Sequence, residues 1–289
     1  MQKQKRKDTF FLKNNVMNCK GNLIFLDEPC IMGILNITPD SFFDGGNYLS
    51  EERIIEQAKK HLNEGAVILD VGGYSTKPGA AFVSEQEELN RVIPVVELLH
   101  RQFPEAIISI DTFRANVAQK AVEKGAAIIN DISAGSMDEN LLDVVASLNV
   151  PYILMHMQGT PETMQQNPQY ENVVQEVMQF FYEKIAVLNQ KGIKDIILDP
   201  GFGFGKTVQH NYQLMQSLED FKIFEMPILV GISRKSMINK VLDVSPKEAL
   251  NGTTVLNTIA LSKGANMLRV HDVRAAKEAV LIMEQLLKN

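Results

Sequence analysis

The stretch IISID at residues 107–111 is an apolar run that ends in a carboxylate, and this pattern indicates the fold class. The pattern returns as IILD at residues 196–199. Similar apolar or β-branched runs alternate with longer amphipathic stretches along almost the whole chain. Eight of these runs are candidate strands: Ile31–Leu35, Val67–Val71, Ile107–Ile110, Ile128–Asn130, Tyr152–Met155, Ile196–Leu198, Ile228–Val230 and Met267–Val270. Such near-continuous apolar strands are typical of a parallel sheet that helices cover.

The stretches between the strands have helical patterning, which predicts the helices Glu51–Asn63, Glu85–Gln102, Arg114–Glu123, Glu139–Leu148, Tyr170–Gln190, Pro246–Ser262 and Arg274–Lys288. Eight strand–helix units close more naturally into an α/β fold of the (β/α)8 TIM-barrel type than they spread into an open sheet. The length of 289 residues is near the roughly 250 typical of that barrel. An open doubly wound sheet is the alternative. No glycine-rich dinucleotide turn follows the first strand, which argues against it.

Two segments precede the first barrel strand. Residues 14–30 contain Gly21-Asn22 between small apolar runs, which predicts a short N-terminal hairpin that caps the barrel bottom. Residues 1–13 are basic, and we expect them to be disordered. No linker or low-complexity segment divides the remainder, so we expect residues 14–289 to form a single domain.

Composition excludes several classes of protein. The 29 Lys and Arg residues against 35 Asp and Glu residues give a net charge of −6, which does not suggest a nucleic-acid surface. The two cysteines, Cys19 and Cys30, are too few for a disulfide framework. No apolar run approaches the roughly 18 residues of a membrane span, and the N-terminus does not resemble a signal peptide. We therefore expect a cytoplasmic protein that binds neither nucleic acid nor membrane.

Polar residues of a few recurring types follow the predicted strands. All strand ends of a barrel meet at one mouth, and a carboxylate that follows an apolar run must find partners because it is poorly hydrated. Asp131 could equally act as a helix N-cap. A purely structural explanation does not account well for the whole set, which comprises Asn36, Gly72, Gly73, Asp111, Asn130, Asp131, His156, Asp199, Gly231, Arg269 and His271.

Two loops suggest anion binding. The run GFGFGKT at residues 201–207 resembles a phosphate loop, but it has three residues instead of four before its Gly-Lys pair, so it is a weak indication of ATP binding. The run GISRKS at residues 231–236 is the better candidate. It combines a glycine, two cations and a serine that is predicted to open a helix. Arg269 and His271 add donors from the eighth strand, where barrels commonly hold phosphate. The alternative is a solvated basic turn.

Five segments, in order along the chain, closely resemble the motifs of the dihydropteroate synthase family. They are MGILNITPDSF at 32–42, INDI at 129–132, DPGFGFGK at 199–206, SRKS at 233–236 and RVHDV at 269–273, within a match over about residues 18–287. The resemblance implies a transferase of folate biosynthesis. It would join 6-hydroxymethyl-7,8-dihydropterin pyrophosphate to 4-aminobenzoate and release pyrophosphate. It also implies a sulfonamide target and a homodimer.

The resemblance further implies a set of site residues. Pterin binding would fall to Asp111, Asn130, Met155, Asp199, Phe204 and Lys235, although Met155 and Phe204 could equally be ordinary core. Pyrophosphate would contact Asn36, Lys77, Arg269 and His271, with Mg²⁺ at Asn36; a largely hydrated Mg²⁺ suits one protein amide and several phosphate oxygens. The 4-aminobenzoate would contact Phe42, Thr76, Pro78, Lys235 and Ser236. The catalytic residues would be Asp111, Lys235, Arg269 and His271, with Asp111 stabilising the cation left when pyrophosphate departs.

One loop departs from the commonest family pattern. In GGYSTKPG at residues 72–79, Tyr74 stands where many members have Glu, and Lys77 stands where they have Arg. Lysine keeps the charge but loses the bidentate fork that suits pyrophosphate, so we expect Lys77 to be the weaker anion contact.

Two other functions compete with this interpretation. A methyltetrahydrofolate-type methyltransferase barrel would share the pterin slot but would not need the SRKS and RVH segments. A non-catalytic pterin- or folate-binding paralogue would be expected to lose residues of the pyrophosphate or aminobenzoate sites, and those residues are present here.

Overall fold

A computed structural model describes residues 16–26, 28–37, 47–74 and 83–287, without the side chains of residues 47–50 and 287. The strands are β1 Val16–Cys19, β2 Asn22–Phe25, β3 Cys30–Asn36, β4 Ile68–Gly72, β5 Ile107–Asp111, β6 Ile128–Asp131, β7 Tyr152–Met155, β8 Ile196–Asp199, β9 Leu229–Val230 and β10 Met267–Val270. The helices are α1 Asn47–Asn63, α2 Glu85–Gln102, α3 Ala115–Glu123, α4 Leu141–Leu148, α5 Val173–Gln190, α6 Val208–Gln216, α7 Ser236–Leu242, α8 Leu250–Ser262 and α9 Val273–Leu287, with a 3₁₀ helix at Leu218–Phe224.

Strands β3 to β10 form one parallel sheet in the order β8-β7-β6-β5-β4-β3-β10-β9. Its two outer strands meet through a parallel bridge between Leu198 and Ile228, where the Leu198 N–H donates to the Pro227 carbonyl at 2.8 Å. The sheet is thus a nearly closed eight-stranded barrel with the helices around it. All eight predicted strands are confirmed, and the open doubly wound sheet is excluded.

The main core lies between the barrel and its helices. Apolar side chains such as Leu69 and Ile108 on the strands pack with Val96 and Phe181 on the helices, all of them fully buried. This packing explains why the strand sequences are apolar on both faces. Among the described residues, no helix is long and apolar enough to cross a membrane.

The predicted hairpin is present and closes the barrel bottom. Strands β1 and β2 pair antiparallel, and their turn is Lys20-Gly21, one residue earlier than the predicted Gly21-Asn22. Both turn residues have positive φ, 54° and 95°, as a two-residue hairpin turn requires. Buried hairpin side chains pack against the first residues of the barrel strands: Met17, Cys19, Ile24 and Leu26 contact a cluster that includes Met32, Ile68, Ile128 and Met267. Residues 1–13, predicted to be disordered, lie outside the described residues.

Local side-chain hydrogen bonds accompany the differences between the predicted and the observed helices. Helix α5 begins three residues after the predicted Tyr170 because Asn172 Oδ1 accepts from the Val174 and Gln175 N–H groups at 3.1 Å. Helix α8 begins at Leu250 instead of Pro246, after a turn in which Ser245 donates to Glu248. The sequence prediction did not specify α6, which Thr207 caps by accepting from the His210 N–H at 3.1 Å.

Candidate active site at the barrel mouth

Arg269 on strand β10 bridges two carboxylates at the mouth of the barrel. Its Nε donates to Asp70 at 2.7 Å, and its Nη2 donates to Asp111 at 2.6 Å. The side chain of Asp70 is fully buried, whereas that of Asp111 keeps 16% exposure. Asp70 also accepts from Asn130 Nδ2 at 3.2 Å. One buried aspartate therefore connects Arg269 to Asn130, two residues that the family resemblance assigns to different parts of the substrate.

Asp70 is not among the site residues predicted from the sequence. It lies inside the predicted strand Val67–Val71, whereas the predicted site residues lie at the strand ends. The signal was present, since a carboxylate within an otherwise apolar strand needs a buried partner. The partner, Arg269, lies 199 residues away along the chain, so it could not be named from the sequence.

The bridge also sets the charges at the mouth. Burial raises the pKa of Asp111 to about 7; Arg269 opposes this rise, and the carboxylate of Asp70 adds to it. Burial lowers the pKa of Arg269, but the two carboxylates raise it by more, so the guanidinium stays charged. The pKa of Asp111 therefore lies near neutral pH.

Three of the predicted residues lie in one row across neighbouring strands. Asn36 is the register partner of Gly72, Gly72 is the partner of Asp111, and Asp111 is the partner of Asn130. Gly72 leaves the row open, because a Cβ there would lie 3.4 Å from the Asp111 side chain. Asn36 is exposed at the end of β3, at the edge of this row.

Asp199 and Lys235 stand on the other side of the mouth. Asp199 is 5% exposed, and its Oδ1 accepts from the Gly201 N–H at 2.8 Å. Lys235 Nζ donates to the Phe202 carbonyl and lies 4.4 Å from the centre of the Phe204 ring. Burial raises the pKa of Asp199 and lowers that of Lys235 to about 8, and each charge partly opposes the shift of the other. The two groups therefore form an electrostatic pair.

A small apolar cluster lies at the mouth, separate from the main core. Its buried members are Phe113, Ile132 and Met155, and Tyr74, Met157 and Phe204 pack against it. Met155 and Phe204, for which the sequence left two interpretations open, both belong to this cluster. The Tyr74 ring meets Phe113 edge-on at 5.5 Å, with the Arg114 guanidinium 4.9 Å from the Phe113 ring centre. Tyr74 thus packs as an aromatic residue at the root of the loop that departs from the family pattern.

The GISRKS loop presents one cation to the mouth instead of the predicted two. Arg234, at φ 58°, turns away and forms a bidentate ion pair with Asp272 at 3.0 and 2.7 Å. The predicted helix start at Ser236 is present, and Ser236 is exposed. His271 adjoins this loop, with Nδ1 3.0 Å from Ser233 Oγ and its backbone N–H donating to the same oxygen at 3.3 Å.

Two strand-end residues are engaged by neighbouring protein groups. Both oxygens of Asp131 accept hydrogen bonds at 2.6–2.7 Å, from the Ser133 N–H and hydroxyl, the Gly135 N–H and the Tyr152 hydroxyl. The structural interpretation of Asp131 is therefore the better one, although the residue stabilises a turn instead of capping a helix. His156 is buried and contacts Lys206, with Nδ1 2.9 Å from Nζ.

The sequence profile of the family described as "pterin binding enzyme" matches residues 32–271. The dihydropteroate synthase of Escherichia coli is 48% identical over 270 residues, which cover 93% of this chain and 95% of that protein. The chain belongs to the dihydropteroate synthase family of pterin-binding enzymes. It is a transferase, and the fold agrees with this membership. The dihydropteroate synthase of Yersinia pestis, solved as a sulfonamide drug complex, superposes with a TM-score of 0.89 at 42% identity, covering 95% of this chain and 100% of that one.

A second solved member of the family superposes over a similar span. The dihydropteroate synthase of Xanthomonas albilineans, solved with 4-aminobenzoic acid, has a TM-score of 0.88 at 40% identity and covers 94% of this chain and 98% of that one. The structure brings the predicted residues Asp111, Asn130, Met155, Asp199, Phe204, Lys235, Arg269 and His271 to one mouth, with Asn36 and Ser236 at its rim. The predicted residues Phe42, Thr76, Lys77 and Pro78 lie outside the described residues.

Proposed function

We propose that this dihydropteroate synthase family member condenses 6-hydroxymethyl-7,8-dihydropterin pyrophosphate with 4-aminobenzoate, giving 7,8-dihydropteroate and pyrophosphate. The observation that carries the proposal is the division of the mouth. Buried carboxylates and the Asn130 amide occupy its floor, Arg269 and His271 occupy the side of β10, and Lys235 stands between that side and the Phe204 ring. A substrate ring with N–H donors would need the acceptors on the floor, and an anionic leaving group would need the donors on the β10 side. A second ring would need the space beside Lys235.

The pterin slot is proposed to lie over Asp111, Asn130 and Asp199. A pterin presents N–H donors along its amino-pyrimidinone edge, and Asp199, with Oδ1 already bound to Gly201, can turn Oδ2 toward them. The polarisable side chain of Met155 and the ring of Phe204 supply an apolar wall for the planar ring. Lys235 would then hydrogen-bond the pterin from the side of Phe204.

Pyrophosphate is proposed to lie beside Asn36, Arg269 and His271, with Lys77 as a further cation. Among the described residues, no group of three or more His, Cys, Asp and Glu side chains is arranged to hold a metal ion. The exposed amide of Asn36 is a suitable donor, and it fits a Mg²⁺ ion that keeps most of its waters and phosphate oxygens. When bound, Mg²⁺ would neutralise charge on the leaving pyrophosphate.

The reaction is proposed to be dissociative. The bond between the pterin methylene carbon and the pyrophosphate oxygen breaks first, and both electrons leave with pyrophosphate. The methylene cation that remains is stabilised by the negative charge of Asp111, which acts in a partly water-excluded site. The neutral amine of 4-aminobenzoate then attacks the methylene carbon and loses one proton to solvent. Such a path needs no protein nucleophile and no strong general base.

The 4-aminobenzoate is proposed to lie on the outer side of Lys235. Ser236 begins helix α7, and its hydroxyl and backbone N–H would receive the carboxylate, whereas the Ile238 N–H in the same turn donates to the Lys235 carbonyl at 3.0 Å. Phe42, Thr76 and Pro78 would form the rest of this slot, as the family resemblance implies. A sulfonamide would then compete with 4-aminobenzoate for the same position.

One assay tests the proposed function. Purified protein is incubated with the dihydropterin pyrophosphate, 4-aminobenzoate and Mg²⁺, and dihydropteroate and pyrophosphate are followed together. We expect both products in equal amounts, and competitive inhibition by a sulfonamide against 4-aminobenzoate. Binding of the pterin without product would favour a non-catalytic paralogue. Methyl transfer from methyltetrahydrofolate to a corrinoid would favour the methyltransferase alternative.

The pH dependence of the reaction should report on Asp111. Its pKa is raised to about 7, so the carboxyl is protonated below that pH and cannot stabilise a cation. We expect kcat/KM for the pterin substrate to fall by about tenfold per pH unit below pH 7. The control is Asp111→Asn, whose residual profile reports the titration of the remaining groups, among them Lys235 and the substrate pyrophosphate. Identical profile shapes for the two proteins would contradict the prediction.

A homodimer is proposed through the α8/α9 face, which we define as Leu250, Val255, Ile259, Leu281, Ile282 and Leu286. These apolar side chains lie on two adjacent helices and are 37–67% exposed. Exposed apolar side chains on adjacent helices are typical of a subunit interface.

The dimer proposal predicts the behaviour of a charged variant in sedimentation. Ile282→Glu should shift the protein from dimer to monomer, because it places a carboxylate in the proposed interface. Tyr182→Glu is the matched control, since Tyr182 is 69% exposed on helix α5, which connects β7 and β8. A monomeric native protein, or a dimer that persists in Ile282→Glu, would overturn the proposed interface.

A further inference from the structure

The turn at residues 200–206 is pressed against the end of strand β7. Gly201, Gly203 and Gly205 all have positive φ, and a Cβ on Gly201 would lie 1.8 Å from the His156 carbonyl oxygen. At Gly205 the nearest atom to a Cβ would be the Gln158 carbonyl oxygen, at 2.4 Å. Only glycine permits so close an approach of two backbone segments, and the approach crowds several carbonyl oxygens into one buried space.

Lys206 fills that space. Its Nζ lies 2.9 Å from His156 Nδ1, 3.0 Å from the carbonyl oxygens of Gly201 and Phe204, and 3.3 Å from that of His156. The residue is 4% exposed. Carbonyl oxygens are acceptors only, and a neutral imidazole with its proton on Nε2 accepts at Nδ1. Burial lowers the pKa of Lys206 to about 7, so the ammonium and the neutral amine are both populated near neutral pH. In the ammonium form, the three N–H groups match the three shortest contacts.

The neighbouring histidine suits this arrangement. Burial and the adjacent Lys206 lower the pKa of His156 to about 2, so its ring is neutral and can accept at Nδ1. Its ring also meets the Phe180 ring edge-on at 4.9 Å, which fixes its plane. The lysine in the GFGFGKT run thus turns inward to bind the protein backbone, and it does not present a cation to a phosphate.

The same turn holds the groups of the pterin slot. The Gly201 N–H donates to Asp199, the Phe202 carbonyl accepts from Lys235, and the Phe204 ring faces the Lys235 ammonium. Lys206 donates to the carbonyl of Gly201, directly before Phe202, and to that of Phe204, two residues after it. A shift of this turn would therefore move both the acceptor and the ring that position Lys235.

We propose that Lys206 is a positioning residue that fixes the turn at residues 200–206 and, through Phe202 and Phe204, holds Lys235 in place for the pterin substrate. Part of this proposal rests on the proposed function, because the substrate test uses the pterin slot. The effect on the turn itself is independent of any ligand, so the two can be tested separately.

The first test needs no ligand. Lys206→Met keeps most of the length of the side chain but removes the amino group and its donors. We expect faster hydrogen–deuterium exchange at the amides of residues 201–206 in Lys206→Met than in the native protein. The matched control is Lys20→Met, which also removes a lysine-to-carbonyl bond, from Nζ to the Val122 carbonyl at 2.7 Å, but at the barrel bottom. Unchanged exchange in Lys206→Met would overturn the proposal.

The second test measures whether Lys206 affects pterin binding through Lys235. Binding of dihydropterin pyrophosphate is measured by calorimetry for the native protein, Lys206→Met, Lys235→Ala and the double variant. We expect Lys206→Met to weaken binding by about tenfold or more in the native background and by less than about threefold in Lys235→Ala, because positions acting through one another are not additive.

The outcomes of the second test are distinguishable. If Lys206→Met weakens pterin binding equally in the native protein and in Lys235→Ala, Lys206 does not act through Lys235. If it weakens binding in neither, its proposed role in binding is wrong. If the native protein itself does not bind the pterin pyrophosphate, the proposed function fails and the link to the substrate falls with it. The exchange experiment still decides whether Lys206 fixes the turn.

Discussion

Replacing Arg269 by methionine is expected to reduce kcat/KM by at least about 1,000-fold, which corresponds to roughly 4 kcal/mol of transition-state stabilisation. Two effects contribute. The pyrophosphate loses a cation beside its proposed site, and Asp111 loses the partner that donates to it at 2.6 Å. Steady-state kinetics with both substrates measure the loss. A decrease of less than tenfold would show that Arg269 does not contact the leaving group.

The same substitution is expected to destabilise the fold. Replacing a residue that only binds substrate would not have this effect. Asp70 is fully buried, and Arg269 is the cation that pairs with it. Removing one member of a buried ion pair leaves an uncompensated charge, and the expected cost is about 3–5 kcal/mol in the free energy of unfolding. Urea-induced unfolding of the native and variant proteins gives this quantity directly.

A double variant distinguishes the two effects. Asp70→Asn combined with Arg269→Met removes the uncompensated charge, and the side-chain carbonyl of the introduced asparagine can still accept from Asn130. We expect the double variant to recover most of the lost stability and none of the lost activity. A double variant less stable than Arg269→Met alone would refute this account of Asp70, because its charge would then not be the source of the cost.

The second large effect is expected for Asp199→Asn. The Gly201 N–H donates to Oδ1 at 2.8 Å, so the amide oxygen of an asparagine must take that position. The NH₂ group then occupies the Oδ2 position and meets the N–H donors of the pterin. Because a favourable bond to a charged acceptor becomes a contact between two donors, we expect binding of the pterin to weaken by about 100-fold, or roughly 3 kcal/mol.

The comparison between substrates decides the assignment. In Asp199→Asn the KM for 4-aminobenzoate and the inhibition constant of a sulfonamide, both measured at saturating pterin, should change by less than about threefold. Asp143→Asn on the outer helix α4 serves as the control for a simple loss of one carboxylate, since Asp143 is 69% exposed. If the binding of both substrates weakens equally, Asp199 lies between the two slots instead of within the pterin slot.

The barrel and the position of its mouth followed from the sequence because both depend on local patterns. An apolar strand such as Ile107–Ile110 is recognisable from its own residues, and the carboxylate after it marks the end that faces the mouth. The hairpin turn was predicted one residue late because Lys20 adopts positive φ, which is uncommon for a residue other than glycine. Helix starts were missed where one capping side chain, such as Asn172, decides the boundary.

The sequence did not reveal the direction in which adjacent side chains point. Arg234 and Lys235 are neighbouring cations, and both were predicted to serve one anion site. In the structure, the left-handed backbone at Arg234 turns its guanidinium to Asp272, whereas Lys235 turns inward to the Phe202 carbonyl. A loop conformation that depends on contacts with other strands determines this difference.

Short segments with their own periodicity or motif were enough to predict the eight-stranded barrel, the family and the polar residues at the strand ends. The pairing of those polar residues depends on the folded chain. Arg269 meets Asp70 across 199 residues of chain, and Lys206 turns into a space formed by the ends of β7 and β8. The physical reason is that buried charges must pair with whatever groups the closed barrel brings next to them, and closure is a property of the whole chain.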